Sequence, residues 1–108
     1  MNINKAVIDA LKPLNIPVSF QIYTGTTDPY ITFFCYFENG ELFADDIQKG
    51  TGYYIQIDLW SKSNYSTIVE QIKSAMTQAG FSFMSAIDLY ENDTKIYHKA
   101  LRFYYLEG

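Results

Sequence analysis

The sequence predicts an α+β fold, a mostly antiparallel or mixed sheet of four to five strands with two helices packed on one face. Three observations predict it. Two stretches repeat apolar residues at helical spacing, and several others alternate apolar with polar residues at a spacing of two. Strands that follow one another through short turns favour antiparallel neighbours, and two helices suffice to cover one face. The predicted order is α-β-β-β-α-β-β, with residues 1–108 as one domain.

In the first helix Ile3, Val7, Ala10, Leu11 and Leu14 share a face, with Asn2 or Asn4 as the cap. Pro13 weakens its end and Asn15-Ile16-Pro17 closes it. Val18, Phe20 and Ile22 alternate with Ser19 and Gln21 as a half-buried strand, and Tyr23 to Pro29 carries turn chemistry. Tyr30 to Phe37 is a second strand, with Ile31, Phe33, Cys35 and Phe37 on one side and Tyr30, Phe34 and Tyr36 on the other. Glu38-Asn39-Gly40-Glu41 reads as a turn, and Leu42 to Gly52, without a clean period, as a long loop. A third strand, Tyr53 to Trp60, turns Tyr53, Ile55, Ile57 and Leu59 inward and Gln56 and Asp58 outward. Ser61 to Asn64 supplies caps for a helix whose stripe is Tyr65, Ile68, Val69, Ile72, Ala75, Met76 and Ala79, stopped by Gly80. Phe81 to Tyr90 is a less regular strand. A turn at Glu91-Asn92-Asp93-Thr94 leads to the last strand, Lys95 to Tyr105. That strand sets Leu101, Phe103 and Tyr105 on one face and His98, Ala100, Arg102 and Tyr104 on the other. If registers agree, the second set joins Gln56, Asp58 and Trp60 on an uncovered face suited to docking.

The totals narrow the function classes. The chain is 48% hydrophobic and 19% charged, a globular balance, and no apolar run approaches the ~20 residues of a membrane span. The start at Met1 lacks a secretory apolar stretch, so synthesis in the cytoplasm is expected. Net charge is −4 and the eight Lys and Arg are scattered, which disfavours a nucleic-acid partner. Ten Tyr against seven Leu is unusual, and tyrosine, apolar in body and polar at its tip, suits half-buried contact surfaces.

No reactive constellation emerges, and the chain reads as not an enzyme, with no cofactor and no metal. His98 is the single histidine, beside Arg102, with no H-x-x-x-H or C-x-x-C spacing to build a metal site. Cys35, among Phe33, Phe34 and Phe37, reads as a buried thiol acting as a small hydrophobe. Lys49-Gly50-Thr51-Gly52 lacks the order of a phosphate loop and leads into a strand. Asp45-Asp46 near Glu41 reads as a solvated acidic pair or as a surface that meets a basic partner. Asp58 has no evident second carboxylate for glycoside chemistry.

The chain resembles the tail-completion proteins of bacteriophages, which include tail terminators and tail-to-head joining proteins. The residues that carry the likeness run from Leu11-Lys12-Pro13-Leu14-Asn15-Ile16-Pro17-Val18 through Tyr30-Ile31-Thr32-Phe33-Phe34 to the isoleucine-rich strand ending Asp58-Leu59-Trp60-Ser61. Gly80-Phe81 and Asp88-Leu89-Tyr90-Glu91 follow, then His98-Lys99-Ala100-Leu101-Arg102-Phe103. The resemblance implies a structural virion protein that forms a ring, commonly a hexamer, at the head-proximal end of the tail tube. Its partners would be copies of itself, the tube protein and the head connector or stopper, met in the host cytoplasm during assembly. It also implies a mobile interstrand loop used in assembly, carried here onto Glu38 to Gly52, so Glu41, Asp45, Asp46 and Lys49 are candidate contacts. Gln56, Asp58, His98, Arg102 and Tyr104 of the uncovered face join them. The competing readings are another neck or tail component, an acidic immunity or antitoxin protein, and a small enzyme or ligand-binding domain with a concave pocket.

Overall fold

The computed structural model describes residues 1–44 and 47–108, without the side chains of residues 41–44, 47 and 49. Helix α1 spans Ile3–Leu11, and its cap is Asn2, whose side chain accepts from the Lys5 N–H at 3.0 Å. Val7 and Leu11, one turn apart, are fully buried. A 3₁₀ turn, Lys12–Leu14, follows without a break. Pro13 fits at its start because no intrahelical donor is needed there, and Asn15 ends it in the left-handed conformation at φ 57°. Helix α2 spans Ser66–Gln78 and buries Val69, Ile72 and Met76. Asn64 Oδ1 accepts from the Ser66 N–H at 2.9 Å, so the polar run ahead of the helix supplies its cap. Gly80, at φ 96°, stops it, with the Gly80 N–H on the Thr77 carbonyl and the Phe81 N–H on the Met76 carbonyl, both at 3.0 Å. This six-to-one and five-to-two pair needs a residue without Cβ at the left-handed position, and it folds Phe81 back into the core.

The strands are β1 (Val18–Phe20), β2 (Tyr30–Ala44), β3 (Ile47–Ser61), β4 (Ser82–Glu91) and β5 (Ile96–Glu107). They form one mixed sheet in the order β1-β2-β3-β5-β4, with β1 parallel to β2 and every other pair antiparallel. The predicted element order and fold class therefore hold. Ile31 and Phe33 of β2, Ile55, Ile57 and Leu59 of β3, and Leu101 and Phe103 of β5 share one face and meet the helix stripes. All seven are fully buried. Each such side chain contributes roughly 1.5–3 kcal/mol of burial, so the three middle strands and two helices hold the fold.

Three expectations need correction. First, the long loop expected from Glu38 to Gly52 is a hairpin: β2 continues to Ala44 and β3 begins at Ile47, with Asn39 opposite Gly52, Gly40 opposite Thr51 and Glu41 opposite Gly50. Cross-strand pairing overrides the turn chemistry of Glu38 to Glu41. Asp45 and Asp46 lie outside the described residues. Second, Phe37 does not continue the buried row. A bulge between Cys35 and Phe37 inserts Tyr36 and reverses the alternation, so Phe37 sits opposite Tyr54 and is exposed. Third, Cys35 at that bulge is half-buried rather than enclosed, and its thiol donates to the Phe37 carbonyl at 3.4 Å. A second bulge, between Phe83 and Ser85, inserts Met84 into β4.

The hairpin reaches past the rest of the sheet. The partner of β3 on its other side, β5, pairs only from Thr51 onward, and β1 touches β2 only at Ile31 to Phe33. The molecule is correspondingly long, 52 × 26 × 24 Å.

Candidate assembly surface

Two features remain open to solvent: the sheet face opposite the helices, and β4, whose residues are all exposed although α2 touches its helix side. The register places the face residues in rows. Tyr30, Trp60, His98 and Leu89 form one row; Thr32, Asp58, Ala100 and Ile87 the next; Phe34, Gln56, Arg102 and Ser85 a third. The sequence-predicted set, Gln56, Asp58, His98, Arg102 and Tyr104, thus lies together on one face.

Its centre is a connected polar network. Asp58 Oδ1 accepts from Gln56 Nε2 at 2.8 Å and lies 2.7 Å from His98 Nε2, which donates in the tautomer carrying its proton there. Arg102 Nε donates to Gln56 Oε1 at 3.1 Å, and its guanidinium lies 4.6 Å from the centre of the Tyr36 ring. Trp60 Nε1 donates to Thr32 Oγ1 at 3.0 Å. Aromatic rings cover these bonds. Tyr23, Tyr30, Trp60 and His98 stack in a line at centroid spacings of 4.5, 6.0 and 3.8 Å. Tyr54 packs on Tyr104 at 4.9 Å and on Phe37 at 5.4 Å. Under this cover Asp58 is buried.

The sequence named both Asp58 and His98 as candidates but not the bond between them, and the reason is geometric. His98 stands opposite Trp60 and Asp58 opposite Ala100, so the pair is diagonal across the two strands. Of the hairpin candidates, the side chains of Glu41 and Lys49 and the whole of Asp45 and Asp46 fall outside the described residues.

β4 is the feature that sequence reasoning missed. All ten of its residues are exposed, including Phe83 at 43%, Met84 at 48%, Ile87 at 58%, Leu89 at 44% and Tyr90 at 47%. Their apolar character gives a strand signal but not an exposure signal, because exposure follows from β4 being the outer strand. A shallow groove of about 430 Å³ runs between Ile87 and Leu89 on β4 and Gln56, Ala100 and Arg102 beside it. On the helix side β4 is tethered by polar groups. Tyr65 donates its hydroxyl to Asp88 at 2.8 Å, and Lys99 Nζ lies 3.1 Å from the same carboxylate. Burial, then the bond to Asp88, push the Tyr65 hydroxyl up to about 12. The Tyr65 hydroxyl and then Lys99 hold the Asp88 carboxyl below the usual carboxylate range.

Among the described residues no three His, Cys, Asp or Glu side chains are placed to hold a metal ion. No helix there is long and apolar enough to cross a membrane.

No protein-family model matches the chain, and no curated protein matches it. Among solved structures, its fold is similar to that of a chain in the virion of a native gene transfer agent particle. The TM-score is 0.60 over 92% of this chain and 84% of that one, at 14% identity. At that identity the likeness is one of fold.

Proposed function

We propose that this chain is a structural subunit of a phage-like virion, acting by fit against other proteins rather than by chemistry. More finely, copies of it close the head-proximal end of a tail tube as a ring and offer the surface on which the head connector docks. The observation that carries the reading is β4, a ten-residue outer strand whose side chains are all exposed and about half of them apolar. Monomers rarely leave such an edge bare, whereas a subunit awaiting its neighbours does. The fold likeness to a chain of the gene transfer agent virion supports the setting, and so does the sequence resemblance to tail-completion proteins. The hairpin, projecting past the sheet, is the segment offered to the tube or the connector.

Electron microscopy of the purified protein mixed with tail tubes of its own particle tests this. Rings at one tube end only are expected; tubes left uncapped at both ends would remove the reading. Reversal of charge at Asp45 and Asp46 is expected to alter tail length or to reduce head joining, counted on the same grids.

A further inference from the structure

Among the described residues, the sheet offers two long unpaired backbone edges. One is the outer edge of β4, ten residues from Ser82 to Glu91. The other is the outer edge of β2 past the three residues covered by β1, from Phe34 to Ala44. Outside the strand ladders, the one backbone hydrogen bond described that reaches either stretch is at the very end of β4, from the Lys95 N–H to the Glu91 carbonyl at 2.8 Å. Unpaired strand edges are templates for a further strand, and these two are nearly equal in length.

Resting on the ring reading above, we infer that the outer edge of β4 in one copy pairs antiparallel with the distal edge of β2 in the next, giving the ring one continuous sheet. The polarity is already right. β2 and β5 run one way and β3 and β4 the other, so a second copy displaced sideways along the sheet brings β4 against a strand of opposite direction. The contact is head-to-tail, joining two different edges, which is the kind that closes rings. It also covers what is bare: Ile87 and Leu89 on β4 gain cross-strand neighbours, as does the exposed Phe37 on β2.

The position of β1 fixes the offset. Because Val18–Phe20 occupies β2 at Ile31 to Phe33, an incoming strand fits only beyond Phe33. Glu91 then falls opposite Phe34 and, with Tyr36 bulged out, Leu89 falls opposite Phe37 and Ile87 opposite Asn39. Within its own sheet Leu89 stands level with Tyr30. Each copy is therefore displaced by about five or six residues, roughly 18 Å along the strands, for ~19 Å across four strands. That ratio is a strand tilt of about 40–45°, within the ~35–45° at which sheets close into barrels. A two-fold pairing of β4 with β4 would instead stop at two copies and leave the β2 edge bare.

Disulfide trapping tests the contact. In a Cys35→Ser background, Ile87→Cys is combined with Phe37→Cys, Glu38→Cys or Asn39→Cys, and the protein is oxidised with and without tail tubes. The expected result is a ladder of covalent multimers from a double variant, with each single variant left monomeric. Ile87→Cys alone yielding dimers would overturn the inference. Ala86→Pro and Ile87→Pro add a second readout, since successive N–H groups alternate in direction and one of the two points outward. The outward one is expected to keep the wild-type circular dichroism and lose at least ten-fold in rings counted at tube ends; rings undiminished in both variants would overturn the inference. Capped tubes with no trapped double variant would sink the edge pairing and leave the cap reading standing. Trapped multimers that form open chains and never cap a tube would do the reverse.

Discussion

The chain contains the tripeptide Ile-Asp-Leu twice, and the two copies have opposite fates. In β3, Ile57 and Leu59 are fully buried under the helices and Asp58 lies buried on the opposite face within a hydrogen-bonded network. In β4, Ile87 and Leu89 stand on the uncovered face, exposed, and Asp88 points to the helix side and is tethered by Tyr65 and Lys99. The residues and their strand conformation are the same. What differs is position in the sheet and parity along the strand, neither of which a local pattern encodes. Burial belongs to the topology, and the apolar content of β4 is therefore free to serve a neighbour.

Substitutions at the two copies sharpen this contrast. The largest effect is expected from Ile57→Ala or Leu59→Ala, which open a cavity in a filled core and cost about 2–5 kcal/mol in denaturant unfolding. Next, Asp58→Ala leaves His98 and Gln56 without their shared acceptor beneath the aromatic cover. A loss of about 1–3 kcal/mol is expected, read by the same titration. Gly80→Ala forces a left-handed residue with its Cβ 3.3 Å from the Tyr105 ring, and about 1–2 kcal/mol is expected to be lost, seen as a lower melting temperature. Ile87→Ser and Leu89→Ser are expected to stay within about 0.5 kcal/mol of wild type as monomers, while reducing ring formation at tube ends. If they unfold the monomer as Ile57→Ala does, the contrast between the two strands is false.

The smallest effect is that of pH on the tether. The folded Asp88 carboxyl titrates below its ordinary range, so its contribution is present above that range and is lost as pH falls through the lowered value. Tyr65, raised to about 12, contributes fully below the ordinary tyrosine range and loses its contribution as pH climbs toward that value. Hydrogen exchange of the β4 amides, compared between wild type and Asp88→Asn, is expected to converge in acid and to differ near neutrality.

Much of this fold was legible because regular elements carry regular patterns. The stripe from Ile3 to Leu11, the stripe from Val69 to Met76 and the row Ile55, Ile57, Leu59 each encode their own buried face. Legibility failed where one residue or one partner strand intervened. Tyr36, inserted at a bulge, reverses the alternation of β2. The polar and glycine-rich arms from Glu38 to Gly52 are strands only because they pair with each other. On the candidate surface, the grouping of Gln56, Asp58, His98 and Arg102 followed from alternation once registers were known. The diagonal bond between Asp58 and His98 did not, since it runs across the two strands and not along a register pair.

Met84 has a consequence larger than its size. Phe83 points to the helix side, where it packs on Phe103 with ring centroids 5.7 Å apart. In an unbroken strand Ser85, Ile87 and Leu89 would follow it to that side, and Asp88 would be turned to the solvent. The bulge at Met84 inverts that order, so the adhesive character of this rim hangs on one residue being passed over in the pairing. Drawing that residue into regular pairing, with no change of composition anywhere, would trade a sticky border for an inert one.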